Sequence, residues 1–249
     1  MTDILKENFN YFNLLGGLRE EDMDKPVFRF ITFENLAELL VNKVLTLVKT
    51  TLWDDPYENY ILKCDVFYKN QKANLQNLQE QIFGQCWTFI NESDALWRIY
   101  SADKKGIRIK TTLRKLRSIT YIIGESFLGR VTYDNIENIK KHFRSLNNAQ
   151  TIFKMENLLE TFLWKRSAFE HEKEVRVLYM IDTDSIDTSK LSQDFLLEPN
   201  SFIDEILFDP RLDTRTEKVF RHIIRSLDYV GQVNKSNLYS VEPVTISMY

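Results

Sequence analysis

Apolar and polar positions along the chain fall into short blocks that change period many times. PVFRFI (26–31) is aromatic and β-branched and reads as a strand, with Arg29 projecting to the face opposite Phe28 and Phe30. Thr32 can cap a following helix, FENLAELLVN, in which Leu36, Leu39 and Leu40 form one stripe. VLTLV (44–48) reads as a strand and TTLWDDPYEN as a loop, because a proline disfavours helix at the residue before it. Residues 65–81 are polar, with Leu75 and Leu78 at helical spacing. FGQCWTFI (83–90) is strand-like, and SDALWRIYS then begins a short helix capped by Ser93 or Asp94. Gly106 opens the strand GIRIK, followed by a basic helix TTLRKLRS. Strands are expected around 118–123 and 127–133, and helix over about 134–164. EVRVLYM (174–180) and FIDEILFD (202–209) read as strands, and TRTEKVFRHIIRSL (214–227) as an amphipathic helix.

This irregular order is not a βαβ alternation. It predicts an α+β protein with mixed, mostly antiparallel sheets and flanking helices. Residues 1–26 are polar and read as a leader with a turn at Gly16-Gly17; residues 27–249 read as a single domain.

Composition narrows the function classes only a little. The 43% hydrophobic and 28% charged content is that of a globular protein. A net charge of −3 gives no general attraction to nucleic acid or anionic membrane. No apolar run approaches the ~18 residues of a membrane span, and no basic-then-apolar signal opens the chain, so a soluble cytoplasmic protein is expected. Two cysteines, Cys64 and Cys86, read as reduced thiols. The three histidines are far apart, and no metal is expected. Walker, Gly-x-Ser-x-Gly, Cys-x-x-Cys and His-Glu-x-x-His patterns are absent from the sequence.

Five places could carry chemistry. In FEHEKEVRVLY (169–179), Glu172 and Glu174 stand two apart and on a strand would share a face with Arg176. Charge on a solvated edge strand is the ordinary reading; a carboxylate pair held rigidly for catalysis is the other. Arg29 is a surface arginine or an anion clamp. WDDPYE (53–58) is a structural turn with Trp53 and Tyr57 packed down, or a metal-binding acidic loop. The run 104–117 contains seven cations and no acid, and is a solvated face or a phosphate-binding surface. Trp97 and Tyr100 share a helical face and read as core or as a lining for a flat ligand.

Taken in order, FRF (28–30), NLAELL, WDDPYE, CWT (86–88), WRIYSADKKG, VTY (131–133), and Lys165 with EKEVR (172–176) resemble the signature of a bacterial family of unknown function. IDEILFDPRL (203–212) resembles that family's closing strand and turn, with Asp209 where glycine is usual. A second resemblance, to ADP-ribosyltransferases, lies in the order Arg29, Thr88 and Glu172-Lys173-Glu174, and in the strand–helix–strand opening FRFITFENLAELLVNKVLTL. CWTF departs from the Ser-Thr-Ser those enzymes use in the middle strand.

The ADP-ribosyltransferase resemblance implies an enzyme that consumes NAD as a substrate, by transfer or hydrolysis. It implies Glu174 as the catalytic carboxylate, Glu172 orienting the acceptor, Arg29 holding the dinucleotide and Thr88 fixing the carboxylate. Trp53, Tyr57 or Tyr100 would stack on nicotinamide. It also implies a macromolecular acceptor, protein or nucleic acid, and the setting of a toxin or anti-phage effector with a regulatory or antitoxin partner. A metal-dependent nuclease and a non-catalytic binding module are the alternatives.

Overall fold

The computed structural model describes residues 14–55, 57–58, 64–68, 71–73, 76–120, 125–145, 155–181 and 190–246. The chain packs as two compact units, each assembled from three stretches. The first comprises Met1–Val27, Val44–Ile90 and Thr112–Leu197; the second comprises Phe28–Lys43, Asn91–Thr111 and Glu198–Tyr249.

In chain order the strands are β1 (Leu14–Leu15), β2 (Pro26–Ile31), β3 (Val44–Lys49), β4 (Val66–Tyr68), β5 (Gln71–Ala73), β6 (Ile82–Thr88) and β7 (Ile107–Thr112). They continue with β8 (Glu125–Arg130), β9 (Thr132–Asp134), β10 (Trp164–Arg166), β11 (Glu174–Met180), β12 (Ser192–Leu196), β13 (Glu205–Phe208) and β14 (Gln232–Lys235). The helices are α1 (Phe33–Asn42), α2 (Gln76–Gln81), α3 (Asp94–Tyr100), α4 (Leu113–Thr120), α5 (Ile136–Ser145), α6 (Met155–Glu160), α7 (Pro199–Phe202) and α8 (Thr214–Ser226).

In the first unit β11 is a central strand. It pairs antiparallel with β6 on one side and with β8 on the other. β6 also pairs antiparallel with β3, β3 with β12, and β8 lies parallel to β1. Six consecutive residues, Glu174 to Tyr179, are therefore buried on both faces. Apolar residues on one face join a core of Ile82, Phe127, Ile139, Phe143, Phe162 and Leu178. Gly129 on β8 lets that core close, since a Cβ there would stand 2.3 Å from Leu163.

In the second unit β13 pairs antiparallel with β7 and parallel with β14. Thr32 caps α1 by accepting from the Asn35 amide at 3.2 Å, and Leu36, Leu39 and Leu40 are buried. Phe33 of α1 stacks on Phe220 of α8 at 3.6 Å. The fold is thus α+β with mixed, mostly antiparallel pairing, as the element pattern predicts.

Several local expectations fail for identifiable reasons. The strand expected at 118–123 is, over Ser118–Thr120, the last turn of α4; its other residues lie outside those described. Leu113 and Leu116 face inward at helical spacing and carry the helix through. The helix expected over about 134–164 starts after β9 and includes α5 and α6, but Trp164–Arg166 leaves it to pair parallel with β9. Among the described residues of 65–81 only Gln76–Gln81 is helical; the aromatic and β-branched triplet Val66–Tyr68 pairs instead with Gln71–Ala73, with Leu75 outside the described residues. The strand expected at 202–209 is cut to 205–208, because Pro199 starts a short helix that Phe202 closes.

Candidate active site

The chemistry of FEHEKEVRVLY rests on a break in the strand. Ser167–Glu172 is a 3-10 helix, Lys173 takes the left-handed conformation (φ 44), and the strand starts at Glu174. Glu172 and Glu174 therefore do not share a strand face, and β11 is not an edge. The edge-strand reading is excluded by its two neighbours and its burial.

The two carboxylates meet all the same, because each is bound to one ammonium group. Lys165 on β10 donates to Glu172 Oε2 at 2.6 Å and to Glu174 Oε1 at 3.0 Å. Arg176, one residue pair further along β11, donates from Nε to Glu174 Oε2 at 2.8 Å and lies 2.6 Å from it through Nη2. The same Nη2 donates to Glu58 at 2.5 Å, and Nη1 donates to the Phe162 carbonyl at 2.6 Å. Glu58 is also 3.4 Å from Lys165. All five residues are buried, between 1% and 7% exposed.

Aromatic rings close this cluster. The Trp53 ring lies 4.4 Å from the Arg176 guanidinium, and Gly84 on β6 makes room for it. Phe169 packs on Lys165 at 4.7 Å. Tyr57 packs on Arg166 at 4.8 Å, and Arg166 pairs with Asp55 at 3.0 Å. The acids of WDDPYE that are buried, Asp55 and Glu58, thus have arginine partners, and the loop is a turn with its aromatics packed down.

Thr88 of β6 stands directly opposite Glu174 in the strand register. Its hydroxyl donates to the Glu172 carbonyl at 2.5 Å and accepts from the Ile90 amide at 2.9 Å. The Tyr133 hydroxyl accepts from the Glu174 amide at 2.8 Å. Thr88 and Tyr133 therefore fix the backbone on either side of the left-handed Lys173.

Burial works against the charge on Glu174, but Arg176 and then Lys165 overcome it and hold the carboxyl down at about 2. Glu172 goes the other way: burial raises it, the Lys165 hydrogen bond opposes this, and the adjacent Glu174 charge raises it again. Lys165 stays protonated despite its burial because Glu174 is beside it. Burial, followed by the charge of Glu174, pushes the Cys86 thiol up to about 12, so it offers no thiolate at neutral pH.

Glu174 also lines a cavity of ≈ 590 Å³ within the first unit. Lys25, Arg130 and Lys173 give it cationic walls, and Phe89, Ile90 and Tyr133 give it apolar ones. Lys25 is bound to the buried Asp22 at 2.5 Å, Arg130 packs on Phe89 at 5.2 Å, and Lys173 is bound to Glu170 at 2.7 Å.

Of the residues singled out in the sequence, Glu172, Glu174 and Thr88 come together, with Trp53 packed on their arginine. Arg29 and Tyr100 belong to the second unit, where Arg29 is half-buried on β2 and Tyr100 stacks on Phe30 at 6.3 Å. The basic run 104–117 is dispersed. Arg108 is buried over Phe28 and pairs with Glu205 and Asn91; Arg114 and Arg117 pair with Asp24 and Glu20. Sequence reasoning did not single out Tyr133, Lys25 or Arg130; it took Glu58 only within the WDDPYE loop, quoted Lys165 only as a motif member, and placed Arg176 on the glutamates' strand face without giving it a role.

Fold and site together define an α+β protein in which one central strand holds an ionised carboxylate, braced by buried cations, on a residue that lines a cavity. Residues 96–177, about a third of the chain, match the model of a family described as "Protein of unknown function (DUF2971)". That stretch holds WRIY, VTY and EKEVR, and bears out the resemblance to an uncharacterised family. No curated protein matches the chain. Among solved structures the chain is similar to Thermus sp. 2.9 DarT in complex with carba-NAD+ (13% identity, TM-score 0.39, 86% of this chain and 96% of that chain). It is similar to the same protein with NAD+ (12%, 0.39, 86% and 96%) and with ADP-ribosylated ssDNA (12%, 0.39, 86% and 94%). No helix among the described residues is long and apolar enough to cross a membrane.

Proposed function

We infer that the protein consumes NAD, as an ADP-ribosyltransferase or an NAD glycohydrolase, with Glu174 as the catalytic carboxylate. The observation that carries this reading is Glu174 itself: its carboxylate is kept ionised by Arg176 and Lys165, and the residue lines a cavity of ≈ 590 Å³ with cationic and aromatic walls. That volume falls within the roughly 300–1,000 Å³ of small-molecule sites.

The chemistry needs a fixed negative charge. When the nicotinamide–ribose bond breaks, its electron pair leaves with nicotinamide and the ribose carbon becomes oxocarbenium-like. An ionised carboxylate oriented before the reaction stabilises that charge without reorganising. The acceptor, which is water in hydrolysis, then bonds to the ribose carbon and releases a proton. Lys25, Arg130 and Lys173 suit the diphosphate, and Phe89 or Tyr133 suits a flat ring. Thr88 is a positioning residue in this reading, acting through the Glu172 carbonyl. Trp53 and Tyr57 act by packing the guanidinium groups. Arg29 as a second anion-binding group and Tyr100 as a ring-stacking group belong to the same proposal and are tested by alanine variants.

The test is incubation of the purified protein with NAD, with chelator present, following nicotinamide release. Release by the wild type, lost in Glu174→Gln, supports the reading; full release by a folded Glu174→Gln overturns the role of Glu174. Trials with water alone, protein and single-stranded nucleic acid then identify the acceptor.

A further inference from the structure

One wall of the cavity depends on a buried acid that does not itself line it. Glu20–Asp22 forms a short 3-10 helix, and the Met23 carbonyl just after it accepts from the Arg114 amide at 2.8 Å. Upstream, Gly16 has φ 62 and lies so near the Arg130 carbonyl that a Cβ there would collide with it. The segment is thus fixed beside the end of β8, and Asp22 is buried in it with both carboxylate oxygens engaged. Oδ2 accepts from the Arg19 amide at 2.9 Å. Oδ1 accepts from Lys25 Nζ at 2.5 Å and lies 3.9 Å from Arg130 Nη2. The sum of those two distances, 6.4 Å, is the most that can separate the two cationic nitrogens. The Lys25 hydrogen bond, then that of the Arg19 amide, holds Asp22 below its ordinary 3.8, so it is ionised at neutral pH.

Lys25 and Arg130 both line the cavity, and the Arg130 guanidinium packs 5.2 Å from the ring of Phe89, another lining residue. Among the described residues, Asp22 is the carboxylate that both cations share, and the Arg130 side chain makes no hydrogen bond. Its N–H fork is open to a ligand. Two cations on one carboxylate leave a positive excess at this wall, whereas Lys173 is matched by Glu170.

We propose that Asp22 is a positioning residue that holds Lys25 and Arg130 together as one clamp for a diphosphate. The two side chains are 55% and 44% exposed, and without the shared carboxylate two like charges this near would swing apart into solvent. A ligand would then have to order both flexible stems itself. With Asp22 in place, charge-assisted bonds of about 2.8 Å from each nitrogen reach linked phosphate oxygens across the gap. That the diphosphate belongs to NAD rests on the reading above; the clamp for the anion does not. Asp22 is an acid beside an anion site, so charge alone predicts tighter anion binding when it is removed. Positioning predicts the opposite.

The experiment is a calorimetric titration of inorganic pyrophosphate into the full chain, as wild type, Asp22→Asn, Asp22→Glu and Lys25→Met/Arg130→Gln, with folded fractions taken from thermal melts. Wild type should bind pyrophosphate, and the Lys25→Met/Arg130→Gln variant should lose that binding. Asp22→Asn should bind at least fivefold more weakly per folded molecule, a readout that a purely structural role of Asp22 would not move. Asp22→Glu keeps the charge but displaces the oxygen, and should weaken binding as well. The proposal is overturned if wild type does not bind pyrophosphate, if Lys25→Met/Arg130→Gln still binds it, or if either Asp22 variant, once folded, binds as tightly as wild type. Pyrophosphate carries no nicotinamide, so its binding by a protein that releases none from NAD counts against the NAD reading and leaves the clamp standing.

Discussion

Arg176 and Glu174 lie two residues apart on one buried strand, and the guanidinium meets a single carboxylate oxygen through Nε at 2.8 Å and Nη2 at 2.6 Å. Breaking a buried pair from one side leaves the other charge unmatched, at a cost of about 3–5 kcal/mol. Arg176→Met strands both Glu174 and Glu58, and a large fall in melting temperature is expected. Arg176→Lys keeps the charge but not the fork, and should fall between the two in a urea titration.

Acid should unfold the protein partly through Glu174. Its folded value of about 2 lies below the ordinary 4.5, so its contribution is present above 4.5 and is lost as pH falls toward 2. The expected loss is on the order of a few kcal/mol. Denaturant midpoints at pH 6, 4.5 and 3 check this, with Glu174→Gln showing a shallower decline.

Gly84 has its consequence at the arginine. A Cβ there would approach the Trp53 ring to 2.5 Å, so Gly84→Ala must push the indole away from Arg176. Overpacking of this kind typically costs about 1–3 kcal/mol. A tryptophan fluorescence shift together with a lowered melting temperature is the expected signature.

Thr88→Val removes a hydroxyl that satisfies the Glu172 carbonyl and the Ile90 amide, while Thr88→Ser keeps it. The valine variant should lose about 1–3 kcal/mol, with the serine variant close to wild type. If the hydroxyl positions the carboxylates, NAD turnover should also fall in valine more than in serine.

Much of this was legible in the alternation of the sequence, and what was not has a common cause. β2, α1, β3, β11 and α8 follow from apolar period and capping residues within one segment. Glu172 and Glu174 were read as one face of a strand, but the left-handed Lys173 breaks that strand; they meet because Lys165, on a separate short strand, binds both. Spacing alone cannot show such a partner. Arg108 shows the converse, since a run of cations looks like a basic surface until the fold buries one of them against Glu205.

The cationic wall gives a binding prediction. Arg130→Glu should weaken NAD binding at least tenfold in a calorimetric titration, and wild-type affinity should fall as salt rises. Arg130 is 44% exposed, so the substitution should leave the melting temperature nearly unchanged.

The most direct measurement is single-turnover nicotinamide release at saturating NAD by wild type and Glu174→Gln, with each variant's bound NAD and folded fraction determined beforehand. A carboxylate that stabilises the oxocarbenium-like ribose predicts bound NAD in both proteins and release slowed at least a hundredfold in the variant. Equal release rates, or no NAD bound by folded wild type, would contradict the account.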